Sequence, residues 1–315
     1  KTSVLSKEIK TLSIEKVSQE WIENAAKEDG RNGSVERIAK VFPTNINPYN
    51  SGTWETLLNG DRVWRLKVTA NNAIGISTLF KDFYLPKGAK LFIYSPNYKK
   101  VLGAFTETNN HNSKVFAAEV VIGNTITLEY IEPKNQSNRG FFTLEGVGSF
   151  YKDVHYGENI IEVNESESCE VNINCSPEGT NWQDEKKGVA RILTTSSGGQ
   201  GWCTGSLVNN TNADCTPYFL TAYHCGDNSS TSQFLQYIFY FNYEFSGCTN
   251  GSTSPGYNST TGATLKARSN DLSNGVTSSD FMLLEITGTI PSGVYYNGWD
   301  KTSTTPNGGV GIHHP

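Results

Sequence analysis

The sequence predicts an all-β protein in two β-rich halves: a sandwich-like half behind a leading helix, then a barrel-like half. Three observations predict it. Short apolar runs with two-residue alternation recur along the chain, as in "DRVWRLKV" and "DFMLLEITG". Gly, Asn and Ser clusters separate these runs, and no strand–helix–strand rhythm appears. All six cysteines lie between residues 169 and 248, so the two halves differ in texture.

Residues 6–29 read as a helix, with Ile14, Val17, Trp21 and Ala25 recurring every three to four positions and Gly30 ending it. Trp64, Leu66 and Val68 alternate with Arg65 and Lys67, the pattern of a half-buried strand. "KLFIYS" (90–95) is another short strand. "FAAEVVIGNTITLEY" (116–130) reads as a hairpin turning at Gly123-Asn124. The expected organisation is a helical lead (1–30), a sandwich-like region (31–151), an acidic linker open to proteolysis (152–168) and a strand-rich unit (169–315). In that last unit the expected strands are "GVARILTT", "GWCTGSLVNN", "TPYFLTAYHC", "QYIFYFNYEF" and "DFMLLEITG", spaced as in a β-barrel.

The 315 residues carry a formal net charge of −5 without a long basic run, which argues against nucleic acid as a partner. No run reaches the roughly 18 consecutive apolar residues of a membrane-spanning helix. Residue 1 is Lys and the only methionine is Met282, inside an apolar run, so the expectation is a processed or incomplete product. No cysteine pair has CxxC spacing, which favours a disulfide framework in an oxidising compartment, secreted or periplasmic, over a zinc or redox site.

"PYFLTAYHC" (217–225) ends an apolar strand in a histidine beside a cysteine. Taken alone, such a histidine is more often structural. Three features raise a catalytic reading. A Cys203–Cys225 disulfide would pin the histidine's turn, contributing about 3 kcal/mol in the chain-entropy model. "CTGSL" has a glycine where close packing against that turn would suit it. Asp280 stands just before an apolar strand, where its carboxylate can orient an imidazole. Asp271, in "SNDLSNG", competes for that role but has the composition of a solvated turn. Asp227 reads as a surface turn residue. His111 and His155 lie in polar segments, and His313-His314 has no third ligand nearby for a metal. No cofactor is expected.

"CTGSL…FLTAYHC" resembles the "C-G-G-S-L…T-A-A-H-C" pattern of trypsin-like serine proteases. With "SCEVNINC", "FNYEFSGC", "SSDFMLLEI", "GWD" and "GIHHP", residues 168–315 are similar to secreted bacterial lysyl endopeptidases. The half before resembles the pro-region preceding many such proteases, packed on the protease domain. The resemblance implies the first barrel of a trypsin-like fold and the start of the second, protein or peptide substrates, and cleavage after lysine. It implies His224 as general base and Asp280 as the residue orienting it, in the family's chain order. It pairs Cys203 with Cys225 and Cys175 with Cys248. Cys169 matches a cysteine whose partner lies in the second barrel, and Cys215 matches none, so these two are left over and can pair with each other.

The family's nucleophile sits in a G-x-S-G-S-P-like segment after "HHP". The Ser-Gly pairs here are Ser51-Gly52, Ser197-Gly198, Ser246-Gly247 and Ser292-Gly293, and none has that context. The expectation is therefore a precursor or fragment of a serine endopeptidase, inactive as it stands. The alternatives are a pseudoprotease or a non-catalytic secreted binding or adhesion protein; a zinc hydrolase is the lesser reading. Cleavage that frees the protease half is expected between Lys152 and Cys169: after Lys152 by self-processing, or at Glu162, Glu165 or Glu167.

Overall fold

The computed structural model describes residues 5–6, 8–32, 34–136, 138–152, 170–196, 198–249, 255–269 and 279–314. Seventeen strands dominate them, and the fold is all-β. In chain order these are β1 (Thr11–Ile14), β2 (Ala39–Ile46), β3 (Thr53–Thr56), β4 (Arg62–Ala70), β5 (Gly75–Tyr84), β6 (Lys90–Tyr94), β7 (Val101–Phe105), β8 (Phe116–Ile122), β9 (Thr125–Glu132), β10 (Phe141–Phe150), β11 (Val189–Ser196), β12 (Gly199–Val208), β13 (Tyr218–Ala222), β14 (Ile238–Phe241), β15 (Asn258–Thr261), β16 (Ala263–Arg268) and β17 (Phe281–Ile286). Two α-helices accompany them, α1 (Gln19–Asn32) and α2 (Thr231–Phe234). No helix among the described residues is long and apolar enough to cross a membrane.

The chain forms two compact units. The first comprises 1–24, 38–154 and 198–200; the second comprises 25–37, 155–197 and 201–315. The linker expected at 152–168 lies outside the described residues apart from Lys152, as do Cys169, His155 and Asp271.

The first unit is a sandwich. One sheet runs β1-β4-β9-β6-β7 with β3 on β4; the other contains β2-β10-β5-β8. Trp64, Leu66 and Val68 of one sheet meet Ile76, Phe80 and Phe142 of the other in a single apolar core. Alternation sets this: each strand turns every second side chain inward. Arg65, expected to face solvent, is buried and ion-paired with Glu55.

Two expectations are corrected here. Residues 11–14 are a strand, parallel to β4, and not the start of the helix, which begins at Gln19. Leu12 and Ile14 lie two apart on the face that meets the sandwich core, so burial in a sheet overrides the weak helical spacing. β8 and β9 do not form a hairpin. β8 pairs with β5 and β9 with β4 and β6, in different sheets. The Gly123-Asn124 corner instead carries the chain across the sandwich: Gly123 N–H donates to the Ile74 carbonyl and the Asn124 carbonyl accepts from Ala70. Both strands have an apolar face to bury, and each finds a separate sheet.

The second unit is a closed six-strand barrel. β11 lies between β14 and β12, β12 pairs with β13, β13 with β17, and β17 with β16. β15 pairs with β14 and runs into β16 through Gly262 alone, so one bent strand closes the circle. Gly262 adopts φ +94°, a conformation that L side chains resist, which is why a glycine makes the bend. This is the strand order of a trypsin-like first barrel. Its interior holds Ile192, Leu207, Phe219, Phe239, Phe241, Met282 and Leu284. The single methionine is thus core.

Candidate active site

β13 and β17 are antiparallel neighbours, with Ala222 opposite Phe281 and Thr221 opposite Met282. The end of β13 therefore meets the start of β17. His224 follows β13 in a single 3-10 turn, Tyr223–Cys225, and Asp280 immediately precedes β17. Residues 56 apart in sequence are brought together by strand register alone. His224 Nδ1 lies 2.8 Å from Asp280 Oδ2, and the His224 backbone N–H donates to Asp280 Oδ1 at 3.0 Å. The Tyr223 N–H donates to the Asp280 carbonyl at 3.0 Å. Asp280 holds φ +42°, in the left-handed region, so its backbone is bent to bring main chain and carboxylate to the turn together.

This arrangement fixes one ring nitrogen and leaves the other open. With Nδ1 donating to a carboxylate, the neutral ring carries its lone pair on Nε2. Nε2 makes no hydrogen bond among the described residues, and 42% of the His224 side chain is exposed, so the open nitrogen is reachable from solvent.

The turn is clamped from several sides. Cys203 on β12 is bonded to Cys225, and Cys175 is bonded to Cys248, the two pairings implied by the family resemblance. Cys215 is an exposed free thiol. Beneath the turn the fully buried Tyr237 donates its hydroxyl to the Cys225 carbonyl at 2.9 Å, and the single hydroxyl proton of Ser229 is shared between Tyr237 Oη at 2.7 Å and the Thr195 carbonyl at 2.9 Å. Burial pushes the Tyr237 hydroxyl pKa well up, with the Ser229 hydrogen bond opposing, so it stays a neutral donor. Gly205 packs on β13 itself and not on the turn: a Cβ there would lie 2.3 Å from Phe219 Cε1 and 2.5 Å from the Leu220 carbonyl oxygen.

The other sequence candidates fall elsewhere. Asp227 lies in the turn after His224, as expected, but is half-buried there and accepts the Ser34 hydroxyl at 2.9 Å. His314 is built into the strand framework: its N–H donates to Thr204 Oγ1 at 3.0 Å and its Nε2 lies 3.1 Å from the Tyr243 carbonyl. His313 Nε2 is 3.7 Å from Glu170 Oε1. His111 is exposed and bonds Ser113. Among the described residues the one group of three potential metal ligands is Cys203, His224 and Cys225. Its sulfurs are joined to each other and offer no thiolate, so the group does not fit a metal.

Sequence reasoning missed Tyr237 and Ser34. Tyr237 reads as one more aromatic in an apolar run. Ser34 lies nearly two hundred residues from the histidine, and nothing local marks it.

Residues 163–315 match the family model described as lysyl endopeptidase, C-terminal domain. A curated lysyl endopeptidase of Pseudomonas aeruginosa is 32% identical over 214 residues, which are 64% of this chain and 44% of that protein. The match thus spans less than half the length of that relative. Motif spacing, barrel strand order, disulfide pairing and family match agree: residues 163–315 are similar to the C-terminal domain of lysyl endopeptidases.

Proposed function

We propose that this chain is the pro-region and first barrel of a secreted or periplasmic serine endopeptidase that acts on protein or peptide substrates and cleaves after lysine. The observation that carries this reading is the His224–Asp280 pair: Nδ1 held at 2.8 Å by a carboxylate, Nε2 open. In this mechanism Nε2 takes the proton of a serine hydroxyl as its oxygen attacks the peptide carbonyl. Asp280 holds the tautomer and stabilises the imidazolium, and the proton then passes to the leaving amine. On this reading the nucleophile is the serine of the family's G-x-S-G-S-P-like segment, a context that no Ser-Gly pair of this sequence has, and without that serine Nε2 has no hydroxyl to deprotonate.

On the same reading the sandwich is a pro-region. Cleavage between Lys152 and Cys169 releases it, with lysine self-processing slightly favoured over a cut at Glu162, Glu165 or Glu167. N-terminal sequencing of the secreted product tests this; a start upstream of residue 140, inside the sandwich, would make it a retained domain.

The test of catalysis uses the full-length protein and a lysyl peptide substrate. His224→Ala should abolish turnover, and Asp280→Asn should lower kcat by about 10⁴ while leaving the fold intact, because the amide selects the wrong tautomer. Turnover unaffected by either substitution would reject the pair as catalytic.

A further inference from the structure

The barrel unit includes a short piece of the N-terminal sequence, Ala25–Arg37. This piece is closed on itself. The Ser34 N–H donates to the Asp29 carbonyl at 3.1 Å. The Arg37 N–H donates to Asp29 Oδ2, its guanidinium Nε lies 2.9 Å from Asp29 Oδ1, and Nη2 reaches Glu28 at 2.8 Å. A loop so tied presents Ser34, Val35 and Glu36 as one unit.

That unit sits against the His224 site. A cavity of about 160 Å³ is shared between His224, Cys225 and Asp227 on one side and Ser34, Val35 and Arg37 on the other. A second opening of about 450 Å³ is lined by His224, Cys203 and Trp202 together with Val35 and Glu36. Val35 packs on the barrel core. Gly201 lets it approach: a Cβ there would lie 2.4 Å from Val35 Cγ1 and 2.5 Å from the Glu36 carbonyl oxygen. Asp227 has one carboxylate oxygen satisfied by the Asn228 N–H at 2.8 Å, while the other takes the Ser34 hydroxyl.

We propose that Asp227 is a specificity-determining residue of the His224 site, accepting a hydrogen bond from the side chain of the peptide seated there, and that Ser34-Val35-Glu36 fills this seat as a tethered peptide. The inference rests on the peptidase reading above. A half-buried carboxylate facing the cleft favours a donor: the hydroxyl of Ser or Thr, or the cationic head of Lys or Arg. It disfavours an acidic side chain through like charge, and an apolar one because Oδ2 is left without a donor. The effect expected for one hydrogen bond to a charged group is about tenfold or more in kcat/KM.

Two measurements test it, and they separate this inference from the one it rests on. The first needs no turnover: amide hydrogen exchange of the full chain and of its Ser34→Ala, Asp227→Ala and double variants. Each single substitution should speed exchange at residues 34–37 several-fold, the double should be no worse than the worse single, and the β13 amides should stay protected. Unchanged exchange at 34–37 would overturn the tethered seat. The second uses the full-length protease on a synthetic peptide library varied one position at a time. At one position the preference for Ser, Thr, Lys or Arg over Ala should fall about tenfold in Asp227→Ala and turn toward Asp and Glu in Asp227→Lys. Unaltered preferences at every position would overturn the specificity role. A wild-type protein without peptidase activity would overturn the peptidase reading and the specificity role with it, while exchange would still decide whether Asp227 holds residues 34–37.

Discussion

The sandwich and the barrel belong to one structural class and are held by different means. No cysteine lies in the sandwich's stretches of sequence. Two sheets cover a large apolar core in which Trp64, Tyr130 and Phe142 are fully buried, and its buried charged groups Arg65 and Glu132 are paired with the half-buried Glu55 and Arg62. The barrel core is smaller, and two disulfides cross-link it. One cross-link stands at the histidine turn, and the other joins Cys175, in the turn-rich stretch before β11, to Cys248 after β14. A turn has few ladder hydrogen bonds, so a covalent tie and a buried hydroxyl hold what strands cannot. Burial holds the sandwich together; the barrel's turns take added ties.

The comparison breaks most sharply in the sandwich core. Phe142 touches Trp64, Phe80 and Tyr130 edge-on. Phe142→Ala should destabilise the sandwich by about 3–5 kcal/mol and leave the barrel's transition in place. Calorimetry that resolves the two transitions checks this; equal shifts in both would show that the units melt as one.

The complementary experiment is reduction. The Cys203→Ala/Cys225→Ala double variant should cost the barrel about 3 kcal/mol and leave the sandwich unchanged. Denaturant titration followed separately in each unit reads this difference.

A smaller effect is expected beneath the histidine. Tyr237→Phe leaves the Cys225 carbonyl without its donor and Ser229 with the Thr195 carbonyl alone, costing the barrel about 1–3 kcal/mol. If the hydroxyl also positions His224, the imidazole titration followed by NMR should move as well; in a purely structural role it should not.

The smallest expected effect is acid sensitivity in the sandwich. The Ser6 backbone N–H, followed by Arg65, holds the Glu55 carboxyl below its ordinary value of 4.5 against some desolvation. A depressed folded pKa stabilises above the unfolded value, and that contribution is lost as pH falls through the folded one. Melting of the sandwich between pH 6 and 2 should therefore flatten in Glu55→Gln.

The sequence by itself determined the all-β class and the main strands of both units, and it singled out His224 and Asp280 as a candidate pair. The strands and the histidine are local signals: alternation, turn residues, and a histidine beside a cysteine at a strand end. The two disulfide pairings came from the family resemblance. Tertiary structure alone decided the rest. Residues 11–14 became a strand because a sheet edge offered their apolar face a partner. The Gly123-Asn124 corner crosses between sheets because both flanking strands needed burial, and a turn signal does not say to which sheet a strand returns. Val35 and Ser34 came to lie beside His224, and Tyr237 beneath its turn, because contacts between residues far apart in sequence arise from packing, and a single chain read in order has no term for that.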